Sequence, residues 1–259
     1  MPANDLALLT EAALAAGDIA RRHWNNAPRI WNKPGDAGPV TEADCEVNEM
    51  LRDVLLTERP GHGWLSEESP DTPERLAAEK TFIIDPIDGT RAFIAGQDIF
   101  AHSLAIAERG SITTAVVYLP IRDLLYTAAL GAGAMLNGRP LSAAHGTELA
   151  GARVLGTKSN FENRHWKGGV PPVSRHFRAS LAYRLCLVAQ SRFDAMITLR
   201  DCWEWDVAAG DLIVREAGGR STDRRGATLH YNNPHPKRPG LLAGGPRIHQ
   251  ALLGRLKQV

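Results

Sequence analysis

Apolar residues recur with helical spacing in two stretches near the start of the chain. Between about Asn4 and His23 they fall on one helical face, which predicts a packing helix with Asn4 or Asp5 as its N-cap. A second helix is predicted from Val47, Met50, Leu51, Val54 and Leu55. This helix follows Thr41, so Asp44 lies in its first turn, where the helix dipole favours a carboxylate. Taken alone, Thr41 and Asp44 favour a simple capping pair.

Strand patterns fill the rest of the first half, and strands alternate with helices in the second. Strands are predicted near 63–65, 82–84, 101–107, 112–119 and 124–130, with an Asn137-Gly138 hairpin turn after them. The second half has strand patterns at 153–156, 195–199 and 241–243 and helix patterns at 181–190, 205–217 and 248–256. We therefore predict two closely packed lobes, 1–140 with two helices on an antiparallel sheet and 141–259 with an α/β arrangement.

The segment Phe82-Ile83-Ile84-Asp85-Pro86-Ile87-Asp88-Gly89-Thr90 is the candidate for chemistry. Pro86 lacks a backbone N–H and favours extended geometry before it, which predicts that the strand ends at Asp85. Asp85 and Asp88 would repel each other unless a cation with oxygen ligands lay between them. Gly89 and Thr90 open a short predicted helix and offer amides and a hydroxyl to an anion such as phosphate. The pattern indicates phosphoryl chemistry, and the alternative is a turn with two solvated acids.

Composition narrows the possible partners and the compartment. The 259 residues have a net charge of +1, with 44% hydrophobic and 23% charged residues, which is ordinary for a globular protein and disfavours binding to a nucleic-acid polymer. The scattered cysteines Cys45, Cys186 and Cys202 fit a reducing cytoplasm. The acidic residues of the first helix disfavour a signal peptide, and no apolar stretch is long enough for a membrane span. His102 is expected to have a core or surface role, because its sequence neighbours show no metal-ligand spacing.

Four motifs in a fixed order resemble the inositol monophosphatase superfamily of metal-dependent, typically lithium-sensitive phosphatases. They are Pro39-Val40-Thr41-Glu42-Ala43-Asp44, Ser66-Glu67-Glu68-Ser69, Asp85-Pro86-Ile87-Asp88-Gly89-Thr90, and Trp205-Asp206-Val207-Ala208-Ala209-Gly210 followed by Glu216-Ala217-Gly218-Gly219. The resemblance implies a layered α-β-α-β-α sandwich with the site between the lobes. It also implies an enzyme, often a homodimer, that acts on a small phosphorylated metabolite, and the cysteines place it in the cytoplasm.

The resemblance assigns roles to individual residues. One Mg²⁺ would be held by Glu67, Asp85 and the carbonyl of Ile87, and a second by Asp85, Asp88 and Asp206, with two or three ions in all. The attacking water would be activated by Glu67 with the pair Thr90 and Asp44, and the Gly89 and Thr90 amides would bind phosphate. Glu68 is a candidate for a third metal or a supporting position.

The substrate is less closely defined, because the chain departs from the inositol enzymes. Their sugar-binding glutamate is replaced by Leu199, for which Asp201 or Glu204 could substitute. Lys158, Arg184 and Arg200 are cations suited to a second phosphate. They favour a 3'(2'),5'-bisphosphate nucleotidase acting on 3'-phosphoadenosine 5'-phosphate. The alternatives are an inositol-1-monophosphatase, a histidinol-phosphate or sugar-bisphosphate phosphatase, and a non-catalytic sensor of phosphorylated ligands.

Overall fold

The computed structural model describes residues 2–33, 35, 38–146 and 148–257, of which residues 2 and 3 are described by their backbone only. Its helices are α1 (Pro2–His23), α2 (Glu42–Glu58), α3 (Thr90–Ile94), α4 (Leu181–Ala189), α5 (Glu204–Glu216) and α6 (Pro246–Arg255). None of the helices in these ranges is long and apolar enough to cross a membrane.

Most of the strands form two sheets. The seven-stranded sheet comprises β3 (Gly63–Ser66), β4 (Lys80–Asp88), β5 (Ala101–Glu108), β6 (Ser111–Leu119), β7 (Leu124–Ala129), β8 (Gly133–Leu136) and β9 (Arg139–Pro140). The five-stranded sheet comprises β10 (Arg153–Leu155), β11 (Ser174–His176), β12 (Ala195–Thr198), β14 (Arg220–Thr222) and β16 (Leu241–Gly244). Two small ribbons complete the set, β1 (Ile30–Asn32) with β2 (Pro39–Thr41) and β13 (Cys202–Trp203) with β15 (Lys237–Arg238).

The layers follow the order predicted from the sequence. Helices α1 and α2 pack on one face of the seven-stranded sheet, and α4 and α5 lie between that sheet and the five-stranded one. Helix α6 covers the outer face of the five-stranded sheet. Among the described strands of the first sheet, the β3–β4 pair is parallel and the other pairs are antiparallel. The second sheet is mixed, with β11, β10 and β12 paired in parallel and β16 paired antiparallel with both β12 and β14. The layered α-β-α-β-α sandwich is therefore confirmed.

The two faces of the central strand β4 pack against different apolar clusters. Phe82 and Ile84 pack with α1 and α2, whereas Ile83 belongs to the apolar cluster that includes α5. Since side chains alternate along a strand, Asp85 projects on the same face as Ile83. A carboxylate is thereby directed toward the start of α5.

Two local predictions were wrong. Helix α1 begins at Pro2, so Asn4 and Asp5 lie inside it rather than at its N-cap. Pro86 does not end its strand, because β4 continues to Asp88 and its pairing with β5 shifts register between Asp85 and Asp88. This bulge, consisting of Pro86 and Ile87, accommodates the missing N–H of the proline.

Candidate active site

Three carboxylates from different elements meet between the sheets. Glu67 directly follows β3, Asp85 lies in β4, and Asp206 lies in the first turn of α5. Each offers a carboxylate oxygen, and these three oxygens all lie within 4.8 Å of one another. Among the described residues they are the one group of three or more side chains placed to hold a metal ion.

The electrostatics of Asp85 indicate that this group needs a cation. Asp85 is 1% exposed, and its Oδ1 atom has no hydrogen-bond partner. Burial raises the pKa of Asp85 well above its usual value, and the negative charges of Glu67, Asp88 and Asp206 raise it further. An orphaned carboxylate oxygen surrounded by acids fits a hard divalent ion, which takes carboxylate, carbonyl and water ligands.

Asp206 is held in place by its own helix. The backbone N–H of Trp203 donates to Asp206 Oδ2 at 3.1 Å, which fixes the side chain at the N-terminal end of α5. Burial raises the pKa of Asp206 well above its usual value, and the charges of Asp88 and Glu67 add to that effect. Without a metal ion, the negative charges of neighbouring acids therefore favour protonation of these carboxylates.

Asp88 is tied to helix α4. Its Oδ2 atom accepts hydrogen bonds from the Ser180 hydroxyl at 2.6 Å and the Ala182 backbone N–H at 2.7 Å. Burial raises the pKa of Asp88 to about 6, although these hydrogen bonds act in the opposite direction. The group of three acids does not include Asp88, so the structure places it at the border of the cluster and joins it to the second half of the chain.

Thr90 and Asp44 lie side by side as the motifs predicted. The Thr90 hydroxyl is 3.2 Å from both Asp44 Oδ1 and the carbonyl oxygen of Ile87, so it can donate to either. Asp44 also accepts from the Thr41 hydroxyl at 2.5 Å and the Thr41 N–H at 2.8 Å, in a capping box that starts α2. Burial raises the pKa of Asp44 to about 6. The capping interpretation is thus correct, and the same carboxylate reaches the candidate site.

Gly89 supplies the turn from β4 into α3. Its φ of 101° lies in the left-handed region, where a side chain would be strained. Its carbonyl accepts from the N–H groups of Ala92 and Phe93, which starts the short helix. Glycine at this position lets the backbone turn directly beside Asp88 and Thr90.

Lys33 was missed by the sequence analysis. Its Nζ atom lies 2.7 Å from Glu67 Oε1 and 2.6 Å from Glu68 Oε1. Burial by itself would lower the pKa of Lys33, but the two glutamates outweigh it and raise that pKa. Burial raises the pKa of Glu68 to about 7 despite the lysine. Lys33 directly follows β1, and its N–H donates to the Gly38 carbonyl at 2.9 Å just before β2, so no local pattern could have identified its position.

The three predicted substrate cations differ in their surroundings. Arg184 is 4% exposed, donates from Nε to the Arg178 carbonyl at 2.6 Å, and stacks over Phe177 at 4.6 Å. Burial lowers the pKa of Arg184 to about 10, whereas the charges of Asp88 and Asp206 favour its charged form. Arg200 is exposed, and its charge partly offsets the rise in the pKa of Asp206. Lys158 is exposed on a short 3-10 helix, and none of the described contacts joins it to the acidic cluster.

The two residues proposed to replace the missing glutamate, Asp201 and Glu204, differ in exposure and in hydrogen bonding. Leu199 is 8% exposed and packs in the apolar core under α6. Glu204 is fully buried, and it accepts from the N–H groups of Asn232 and Asn233 and from the Asn233 side chain. Glu204 therefore organises a loop, and of the two candidates only Asp201 is exposed.

A carboxylate cluster between the two sheets of a five-layer sandwich fits a metal-dependent hydrolase. The chain belongs to the inositol monophosphatase family, whose model matches residues 2–259. The superfamily resemblance seen in the four motifs is thereby confirmed. Members of this family hydrolyse phosphate monoesters and are generally metal-dependent, so the protein is a phosphatase.

Individual relatives are similar over nearly their whole length. An inositol-1-monophosphatase of Rhizobium meliloti (strain 1021) is 37% identical over 233 residues, which cover 85% of this chain and 86% of that protein. The Nus factor SuhB of Escherichia coli (strain K12) is 31% identical, covering 97% and 95% of the two chains. The solved IMPase of Thermotoga maritima superposes with a TM-score of 0.82 at 27% identity, covering 98% and 96%.

Proposed function

We propose that this phosphatase uses Mg²⁺ to hydrolyse a small phosphate monoester whose leaving group carries a second anion. The best candidate is 3'-phosphoadenosine 5'-phosphate, cleaved as by a 3'(2'),5'-bisphosphate nucleotidase. The observation that carries the choice of substrate is the buried guanidinium of Arg184, which is within electrostatic reach of Asp88 and Asp206.

The acidic cluster would hold the metal. Glu67, Asp85, Asp206, the border residue Asp88 and the carbonyl of Ile87 supply the hard oxygen ligands that Mg²⁺ prefers. When bound, Mg²⁺ supplies positive charge that neutralises the phosphoryl and leaving oxygens and makes a nearby water more acidic. The orphaned Oδ1 atom of Asp85 supports this assignment, because a buried carboxylate oxygen without a partner is otherwise unfavourable.

The chain's own groups would orient the attacking water and the phosphate. The Thr90 hydroxyl can accept a hydrogen bond from the water while it donates to Asp44 Oδ1, and Glu67 can accept the proton of the water. The Gly89 and Thr90 amides lie at the start of α3, where the backbone favours a phosphate oxygen. These groups would position the attacking water and the phosphate.

The leaving-group side favours an anion over a polyol. Arg184 is held by the Arg178 carbonyl and by Phe177, so its orientation is set before substrate binds. Arg200 adds a second cation whose charge acts on Asp206. Leu199 offers no hydrogen bond to sugar hydroxyls. An anionic group on the substrate would accept charge-assisted hydrogen bonds from Arg184 and Arg200.

Inositol-1-phosphate is the second candidate. It is supported by the name of the Rhizobium meliloti relative, which is an inositol-1-monophosphatase at 37% identity. Exposed Asp201 would then bind the inositol hydroxyls in place of the absent glutamate.

A substrate panel tests the proposal. Phosphate release is measured with Mg²⁺ and with chelator for 3'-phosphoadenosine 5'-phosphate, inositol 1-phosphate, histidinol phosphate and fructose 1,6-bisphosphate. We expect the nucleotide to have the highest kcat/KM.

Arg184→Gln should raise the KM for the nucleotide by about 10–100-fold, because a charge-assisted hydrogen bond is lost. Arg164→Gln, at an exposed arginine paired with Glu162, serves as the matched control. A preference of the wild-type protein for inositol 1-phosphate would contradict the nucleotide assignment.

A further inference from the structure

His102 is a buried histidine on the strand next to the one that carries Asp85 and Asp88. It lies in β5, is 0% exposed, and is flanked by the rings of Phe100 and Tyr118 at 6.3 and 6.4 Å. In the β4–β5 ladder, Asp85 pairs with Ser103 and Asp88 pairs with Ala101. His102 therefore faces the bulge of Pro86 and Ile87, which has no partner residue in that ladder.

Among the described residues the imidazole makes one hydrogen bond, and it is to the bulge. His102 Nδ1 lies 2.5 Å from the carbonyl oxygen of Pro86. A carbonyl can only accept, so Nδ1 must carry the proton and Nε2 is the unprotonated nitrogen. Nε2 is buried without a partner among the described residues, and burial lowers the pKa of His102 to about 4. The ring is thus a neutral donor with a single tautomer.

This contact constrains the peptide between the candidate metal ligands. The Pro86 carbonyl belongs to the peptide plane that leads into Ile87, whose own carbonyl is a candidate ligand. Fixing that plane limits how Ile87 can rotate, and it limits the relative direction of Asp85 and Asp88 on either side. In an unbroken ladder a strand N–H would supply this hydrogen bond, but the register shift removes it.

We propose that His102 is a positioning residue for the metal site, since its Nδ1–H replaces the missing ladder donor and fixes the bulge that presents Asp85, Ile87 and Asp88. The proposal rests on the metal site of the proposed function, and it is independent of which phosphate ester is the substrate. Groups that orient metal ligands from behind affect metal affinity by about 10–100-fold.

The test compares three variants of the full-length chain by titration calorimetry with Mg²⁺. His102→Leu removes the donor and should weaken Mg²⁺ binding by about 10–100-fold, with kcat at saturating Mg²⁺ close to that of wild type. His102→Asn should stay within about threefold of wild type, because its amide nitrogen is joined to the backbone through the same two carbons as Nδ1. His249→Leu is the matched control, since His249 is also 0% exposed with a pKa lowered to about 4 but contacts Thr222 at 2.9 Å instead of the bulge. It should lose stability and keep its Mg²⁺ affinity.

Several outcomes would overturn the proposal. A folded His102→Leu protein with wild-type Mg²⁺ affinity would do so, and so would an Asn variant as weak as the Leu variant. If His102→Leu does not fold, nitrogen NMR of the wild-type imidazole decides, because a ring protonated at Nε2 cannot donate to Pro86 from Nδ1. A wild-type chain that binds no Mg²⁺ would instead overturn the metal site itself. Mg²⁺ binding with a different preferred ester would leave the role of His102 intact.

Discussion

Asp5 and Asp85 are buried to nearly the same extent, at 2% and 1% exposure, yet their surroundings are opposite. Asp5 accepts from Arg59 Nε at 3.1 Å and Lys80 Nζ at 3.2 Å. Burial alone would raise the pKa of Asp5, but these two cations lower it below the usual value. Asp85 has acids for neighbours and an unpartnered oxygen, and its pKa is raised.

The difference shows that burial does not by itself identify a functional acid. Asp5 joins α1 to the cations at Arg59 and Lys80, so it contributes to folding stability. Asp85 destabilises the metal-free fold, because a buried charge among like charges is unfavourable. Strain of this kind is retained where a ligand relieves it. Four experiments examine this contrast.

The largest effect is expected on catalysis. Asp85→Asn should lower kcat/KM for the preferred ester by at least about 100-fold, since a central carboxylate ligand is lost. Asp5→Asn should leave kcat/KM within about twofold, because Asp5 is bound to Arg59 and Lys80 and takes no part in the site. Steady-state rates at saturating Mg²⁺ measure both. Equal losses in the two variants would remove the functional distinction.

Mg²⁺ should stabilise the wild-type fold and the Asp5 variant but not the Asp85 variant. At a free concentration 100 times Kd, the unfolding free energy should rise by about 2.7 kcal/mol through mass action. Urea denaturation with Mg²⁺ and with chelator measures the increment. A similar Mg²⁺-dependent rise in the unfolding free energy of Asp85→Asn would mean that the main Mg²⁺ site does not include Asp85.

Without metal, the two variants should change stability in opposite directions. Asp5→Asn should lower the unfolding free energy by roughly 2 kcal/mol, because two hydrogen bonds from charged groups are lost. Asp85→Asn should raise it by about 1 kcal/mol, because the amide removes like-charge repulsion. Urea denaturation in chelator tests both signs. A destabilised Asp85→Asn protein would show that its carboxylate has a structural role.

The smallest effect is in the pH dependence of the metal-free protein. The pKa of Asp85 is raised on folding, so the folded state binds more protons than the unfolded chain. The wild type should therefore recover most of its deficit of about 1 kcal/mol relative to Asp85→Asn as the pH falls from 7 toward 4. The buried neutral histidines His102 and His249 lower the unfolding free energy as the pH falls over the same range. Both proteins contain them, so their contribution cancels in the difference. A constant difference across this range would contradict the raised pKa.

The sequence allowed the acids of the site to be predicted better than the groups that surround them. Glu67, Asp85 and Asp206 stand at ends of apolar segments in short motifs, and the structure brings them together. Lys33 could not be predicted, because its position depends on the pairing of two three-residue strands, the exposed β1 and the mostly buried β2. His102 lies in an apolar strand pattern, and only the register shift opposite it reveals its hydrogen bond.

The strand and helix pattern was also mostly predictable, with errors where tertiary context outweighed local preference. Pro86 normally ends a strand, but here a bulge lets β4 continue through Asp88. Lys158 and Arg184 look alike as isolated cations in the sequence. Only packing against Phe177 and the Arg178 carbonyl separates the buried arginine from the exposed lysine.

The position of Asp206 on α5 has a consequence for synthesis of the chain. Glu67 and Asp85 leave the ribosome long before Asp206, and α5 must be inserted between the two sheets before the three carboxylates meet. The repulsion that Asp206 adds to that of Glu67 and Asp88 therefore arises only after α5 has been made. The early sheet forms with part of the repulsion already present, and a cation that binds all three acids selects chains in which both halves have already docked.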